Sequence, residues 1–208
     1  MEHAISDYGN SVLYSSARNE YMIERMKRLL TRTIWALTKQ LEAGDFVPVA
    51  YEMRFENGKI DRVDLCKDKD KVYVKVLDYK TGSKAFDVVA LYHGLQLQLM
   101  VYMDAAVKMT QKHYPDSEVI PAGVFYYRLN DPLVEKKVVG EEEEIWQKVL
   151  KELKVDGVMN LKDETLEHLD HCQAGESAVI PVKYNKNGSL SKNSKVASEQ
   201  EFEVMMRH

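Results

Sequence analysis

Lys71-Val72-Tyr73-Val74-Lys75-Val76-Leu77-Asp78-Tyr79-Lys80 is the stretch on which the reading of this chain turns. β-Branched and aromatic residues dominate it, as in a strand, and in a strand successive side chains point to opposite faces. One face therefore carries Val72, Val74, Val76, Asp78 and Lys80. An apolar face that ends in a carboxylate and an ammonium is costly unless the charges meet each other, a metal or water. The preceding run, Lys59 to Cys66, repeats the pattern: Asp61 shares a face with Val63 and Leu65, while Arg62 and Asp64 point the other way with Ile60. Asn57-Gly58 predicts a two-residue hairpin turn between Val47–Phe55 and this run, because both positions readily take positive φ. Lys67-Asp68-Lys69-Asp70 predicts a second hairpin, which completes an antiparallel meander. Adjacent strands lie about 4.8 Å apart, so Asp61 and Asp78 can converge on one hard divalent cation, for which oxygen donors are the preferred chemistry. Spacing alone leaves a second reading open, a salt-bridge cluster at a strand end. Arg62 and Asp64 can likewise pair with each other.

Outward from the meander, Tyr14 to Ala43 has the apolar spacing of one long amphipathic helix closed by Gly44. A helix is predicted from about Asp87 to His113, apolar on nearly every side and hence buried, then a strand from Gly123 to Arg128 after Pro121. Glu141 to Leu153 reads as a helix with acidic residues in its first turn, where they suit the macrodipole. The part 156–208 is less regular, with a strand-like Ala178 to Tyr184 and a hairpin around Asn187-Gly188. This order predicts one α/β layered domain over 1–208, with its core at about 14–155.

With 29 Lys+Arg, 33 Asp+Glu, a net charge of -4 and 45% hydrophobic residues, the composition excludes a disordered polyelectrolyte, a histone-like protein and a collagenous chain. The stretch free of charged side chains from Val88 to Met103 has 16 residues and includes His93, Gln96 and Gln98, too short and polar for a bilayer span. No signal-peptide pattern opens the chain, so a cytoplasmic protein without membrane association is expected. Cys66 and Cys172 stand far apart in no C-x-x-C arrangement and read as small buried groups or idle thiols. His168 and His171 are spaced i,i+3, a lone His pair without a carboxylate or Cys set that would argue for zinc, and read as surface residues.

Three further stretches fall into a series: Gly58-Lys59-Ile60-Asp61-Arg62-Val63-Asp64, Leu77-Asp78-Tyr79-Lys80-Thr81-Gly82 and Gln98-Leu99-Met100-Val101-Tyr102. In order and spacing they resemble the G-x-x-D-R-x-D, D-Y-K-T-G and Q-x-x-x-Y motifs of RecB-type nucleases in the PD-(D/E)XK superfamily. Within it the chain is similar to the nuclease domains of the AddB (RexB) family. Arg32-Thr33-Ile34-Trp35-Ala36-Leu37, Ile180-Pro181-Val182-Lys183 and Asn187-Gly188-Ser189 extend the likeness over most of the chain.

The resemblance implies a restriction-endonuclease-like core, a mixed central sheet flanked by helices, that hydrolyses DNA as one domain of a larger helicase-nuclease subunit. It implies that Asp61, Asp78 and the main-chain carbonyl of Tyr79 bind Mg²⁺ or Mn²⁺, with Glu52 as a candidate outer ligand. Lys80 then orients or deprotonates the attacking water, and Gln98 and Tyr102, four apart on one helix face, reach the site or the DNA backbone. DNA and an AddA-like partner subunit follow as partners. The iron-sulfur cluster of AddB-type domains needs four cysteines that this chain does not carry. Lys59 to Lys84 holds eight Lys/Arg against five Asp, and Lys183 to Lys195 four Lys and no acid. Arg62, Lys84, Lys183, Lys186 and Lys192 are accordingly expected to contact the phosphate backbone. The alternative reading is a nuclease-fold module that no longer cuts and serves to grip DNA or a partner subunit.

Overall fold

The computed structural model describes residues 16–56, 58–82, 86–87, 90–91, 97–132 and 142–207. Helix α1 (Ala17–Glu42) starts at Ser16, whose hydroxyl accepts from the Asn19 N–H at 3.3 Å, satisfying one of the amides orphaned at a helix start. The meander follows as β1 (Val47–Phe55), β2 (Gly58–Asp68) and β3 (Lys71–Lys80). Helix α2 (Gln98–His113) precedes β4 (Glu118–Arg128), and α3 (Glu142–Glu152) precedes β5 (Asp156–Asn160). Helix α4 (Asp163–Leu169), β6 (Val196–Ala197) and α5 (Glu199–Arg207) complete the order.

Among the described residues six strands form one mixed sheet in the order β1-β2-β3-β4-β5-β6, parallel between β3 and β4 and between β5 and β6, antiparallel elsewhere. Each face has its own core. On one, Val63, Leu65, Val72, Val74, Val76 and Val124 pack with Leu99, Met100 and Met103 of α2 and Phe202 and Met205 of α5. On the other, Tyr73, Leu77, Phe125 and Met159 pack with Ala36 of α1, Val149, Leu150 and Leu153 of α3, and Leu166 and Leu169 of α4. β3 is buried from Val72 to Asp78, as a strand covered on both faces must be. Among the described residues no helix is long and apolar enough to cross a membrane.

Several expectations are corrected. Phe55 pairs with Gly58, so the first hairpin closes one residue before the Asn57-Gly58 turn. A Cβ at Gly58 would meet the Phe55 ring at 3.4 Å and that of Tyr102 at 3.7 Å, ordinary van der Waals contact. Ile60 lies in the core with Val63 and Leu65 rather than opposite them. Glu52, at φ 50, is skipped in the β1–β2 ladder opposite Asp61, and the interruption breaks strict alternation there. β4 begins at Glu118 and includes Pro121, whose missing N–H is accommodated because the β3–β4 register slips at Ala122. In α1, Tyr21, Met26, Leu30 and Ile34 are exposed, while Ile23 and Ala36 are buried. The boundary at 155 does not divide the core, because β5 pairs with β4 and the part 156–208 supplies Val158, Met159, Leu166, Leu169 and Phe202. Ala178 to Tyr184 joins no strand of the sheet. The Ser177 hydroxyl accepts from the N–H groups of Val179 and Ile180 at 3.0 Å and folds the segment into turns.

Candidate active site

β2 and β3 pair antiparallel with Arg62 opposite Leu77 and Val63 opposite Val76; carried one step further, this register sets Asp61 opposite Asp78. Opposite residues of an antiparallel pair share a face. The Asp61 Oδ2 accepts the Tyr79 N–H at 2.9 Å, which ties its carboxylate across to the backbone beside Asp78. The Tyr79 carbonyl, the third donor implied by the resemblance, belongs to that same residue.

Asp78 is 3% exposed. Its Oδ2 lies 2.6 Å from the Lys80 ammonium, yet among the described residues no hydrogen bond of ordinary geometry reaches that oxygen, so the contact is a charge pair alone. Burial pushes the Asp78 carboxyl above the usual range, Lys80 pulls the other way, and the neighbouring Asp61 charge adds to the rise. For Lys80, burial lowers the pKa, but the close contact with Asp78 and its charge outweigh it and the net direction is up. The Lys80 ammonium donates to the Gln98 Oε1 at 3.2 Å, and Gln98 Nε2 donates to the Tyr102 hydroxyl at 2.7 Å. The Phe55 ring meets Tyr102 edge-on at 5.7 Å. Strand parity and helix spacing thus bring Asp61, Asp78, Lys80, Gln98 and Tyr102 together.

The row continues where sequence reasoning stopped. Asp78 pairs with Tyr126 on β4, and Tyr126 with Asp156 on β5. The Tyr126 ring lies 5.1 Å beneath the Lys80 ammonium. Lys80 pairs with Arg128, whose half-exposed guanidinium also stands 3.7 Å from Asp156. Asp156 accepts from the Phe86 N–H at 3.0 Å and from Lys195. Parity within Gly123–Arg128 groups Tyr126 with Arg128, but that they border Lys80 needs the parallel β3–β4 pairing.

Other expected residues lie elsewhere. Glu52 lies opposite Asp61 in the β1–β2 register but is exposed, and Lys59 holds its carboxylate at 2.9 Å. Arg62 is corrected as a DNA contact: it is 3% exposed, on the opposite sheet face, and its guanidinium forks Asp64 at 2.6 and 2.8 Å. Lys183, Lys186 and Lys192 are exposed in the segment after α4, and Lys84 lies outside the described residues.

A buried carboxylate oxygen without a hydrogen-bond partner, beside a second carboxylate and a backbone stretch, fits a hard cation in donor type and unmet demand. Residues 2–183 match the family described as PD-(D/E)XK nuclease superfamily. The chain belongs to that superfamily. The mixed sheet with helices on both faces is its restriction-endonuclease-like fold, and PD-(D/E)XK nucleases generally use divalent metal ions. The chain is similar to the B-type subunit of the ATP-dependent helicase/deoxyribonuclease from Lachnoclostridium phytofermentans, 42% identical over 219 residues, which are 97% of this chain and 19% of that protein. The proteins of the same name from Alkaliphilus metalliredigens and Clostridium novyi are each 34% identical over 100% of this chain and 20% of their own length. The chain therefore spans about one fifth of the length of these relatives. The iron-sulfur cluster that the resemblance implies for longer family members has no support in this chain, whose Cys66 and Cys172 are both free thiols.

Proposed function

We propose that this domain hydrolyses DNA phosphodiester bonds with Mg²⁺ or Mn²⁺, as the exonuclease part of a helicase-nuclease subunit that works with an AddA-like partner in double-strand break repair and recombination. The observation that carries the reading is the Asp78 Oδ2, buried beside Asp61 and met, among the described residues, only by the charge of Lys80. Asp61, Asp78 and the Tyr79 carbonyl are the residues that would hold the ion. When bound, such an ion lowers the pKa of coordinated water and offsets the charge that develops on phosphorus oxygens. Lys80, held as an ammonium by Asp78 and steadied by Gln98, presents a fixed positive charge to the phosphate and orients the water. Gln98 and Tyr102 form the chain of hydrogen bonds that aims it. Arg128 and the exposed Lys183, Lys186 and Lys192, with Lys84, supply backbone contacts that draw in the strand without reading its bases.

The test is degradation of a linear duplex by the complete helicase-nuclease, with Mg²⁺ and with chelator, for wild type and Asp78→Ala. Metal-dependent degradation that is lost in the variant supports the reading. A wild-type complex that retains DNA in Mg²⁺ but never cuts it would transfer the case to the gripping module.

A further inference from the structure

On the sheet face away from Asp61 and Asp78, three metal-ligating side chains from three separate parts of the chain meet, and a fourth, His171, borders them through Asp45. Asp45 follows α1, Cys66 lies on β2 within the core of that face, and His168 and His171 lie on and just after α4. His168 Nδ1 stands 2.8 Å from Asp45 Oδ2, and His171 Nε2 stands 3.0 Å from Asp45 Oδ1. One donor atom each from Asp45, Cys66 and His168 lie within 4.8 Å of one another.

The frame around them is tightly fixed. Asp45 N–H donates to the His168 carbonyl and His171 N–H to the Ala43 carbonyl, both at 2.8 Å. A Cβ on Gly44 would stand 2.4 Å from that same His168 carbonyl, so only glycine lets the α1–β1 turn seat against the end of α4. The His168 ring packs 4.8 Å from the ring of Tyr73.

We propose that Asp45, Cys66, His168 and His171 form a zinc site, separate from the nuclease centre. A thiolate, two imidazoles and a carboxylate are the mixed donor set that suits Zn²⁺, whereas the oxygen-only pair on the other face suits Mg²⁺. Zinc–donor distances of about 2.0–2.3 Å place tetrahedral donors about 3.3–3.8 Å apart. To reach that spacing the Asp45 contacts with His168 and His171, at 2.8 and 3.0 Å, open by about half an ångström and the wider separations within the Asp45, Cys66 and His168 group close by about 1 Å, with the half-exposed Asp45 and His171 side chains free to move. Binding forms a Zn–S bond, and the Cys66 proton passes to solvent. Burial, with the charges of Asp45 and Asp68, pushes that thiol up to about 11 while no metal is bound. With four protein donors the site is closed, and its role is to staple the α1–β1 turn and α4 to β2, the strand that carries Asp61.

The experiment uses the 208-residue chain stripped of metal by chelator, kept reduced and titrated with Co²⁺. One equivalent is expected to give visible bands of tetrahedral cobalt and a near-ultraviolet thiolate-to-cobalt band, both bleached by one equivalent of Zn²⁺. Asp61→Asn with Asp78→Asn, and separately Cys172→Ser, are expected to leave these signals intact. Cys66→Ser is expected to abolish the sulfur band, and His168→Gln and His171→Gln each to weaken cobalt binding about tenfold or more. Circular dichroism establishes that each variant is folded; where Cys66→Ser is not, the two histidine variants and Cys172→Ser decide. Absence of a sulfur band in the wild type, its persistence in folded Cys66→Ser, or its loss in Cys172→Ser would overturn the proposal and leave Asp45 as an acceptor clamp for two imidazoles.

Discussion

Two buried carboxylates on the same strand pair are treated in opposite ways. Asp64 and Asp78 are 0% and 3% exposed and stand on opposite faces of β2–β3. Asp64 receives the fork of Arg62 and, at 2.9 Å, the ammonium of Lys75, so two cations surround one anion and both oxygens are bonded. Burial pushes Lys75 downward in pKa while Asp64 draws it back, as in a tightly coupled triad. Asp78 has one poorly directed ammonium and a like charge nearby. The sheet can therefore satisfy a buried carboxylate when its role is structural. The one it leaves in need is the one we propose to hold the ion.

The sharpest way to break the contrast is through chemistry. Lys80→Gln should reduce degradation of a linear duplex by the complete helicase-nuclease about 10²-fold or more, since a charge aimed at the developing transition state is worth that much. DNA retention in a parallel filter assay should change little. Undiminished cleavage would remove Lys80 from the mechanism. Asp64→Ala should leave two cations unpaired and cost about 3–5 kcal/mol, a fall in Tm of about 6–20 °C for a chain of this size. A loss of a degree or two would mean that water already shares the triad.

The smaller effects refine the comparison. Because burial raises the folded pKa of Asp78, the fold favours its protonated form. That contribution is complete below the unfolded carboxylate pKa and is lost as pH rises through the folded value, so at neutral pH the ionised group is a cost. In chelator, Asp78→Asn should therefore raise Tm at pH 7, by about 2–4 °C if about 1 kcal/mol is relieved, with the gain fading in acid. Added Mg²⁺ should raise Tm for wild type and not for the variant, because an ion that binds only the folded state stabilises it by mass action. A lower Tm for Asp78→Asn in chelator would make the Lys80 pair a net stabiliser and erase the distinction from Asp64. Tyr102→Phe removes one hydrogen bond worth about 0.5–1.5 kcal/mol, and a cleavage loss of about 2- to 12-fold in the same assay is the smallest effect expected.

What the sequence made legible was local or periodic. Strand parity put Asp61 and Asp78 on one apolar face, and i,i+4 spacing put Gln98 with Tyr102; both follow from backbone geometry within a hairpin or one helix. The pairing of Arg62 with Asp64 was open by the same parity, yet Lys75 as their third member needs the β2–β3 register. β5 was hidden because five residues containing Gly157 make a weak strand signal. Its place is fixed by β4, whose Val124 carbonyl approaches so closely that a Cβ on Gly157 would stand 1.9 Å away. Ala178 to Tyr184 misled in the other direction, since its apolar residues pack in the core from turns held by Ser177. Cys66 and His168 are 102 residues apart, and nothing periodic links a β2 side chain to α4.

The interrupted ladder of β1 has a consequence for how this protein behaves in a crowded solution. β1 lies at one end of the sheet with Val47, Val49 and Tyr51 exposed, the composition that invites another strand to add alongside. Pro48 offers no N–H, the register slips at Val49, and Glu52 turns the backbone at φ 50, so no long, evenly spaced row of donors and acceptors is presented. At the far end β6 is two residues long, too brief to template a neighbour. Both ends thus resist polymerisation by strand addition, one through its irregularity and the other through its shortness.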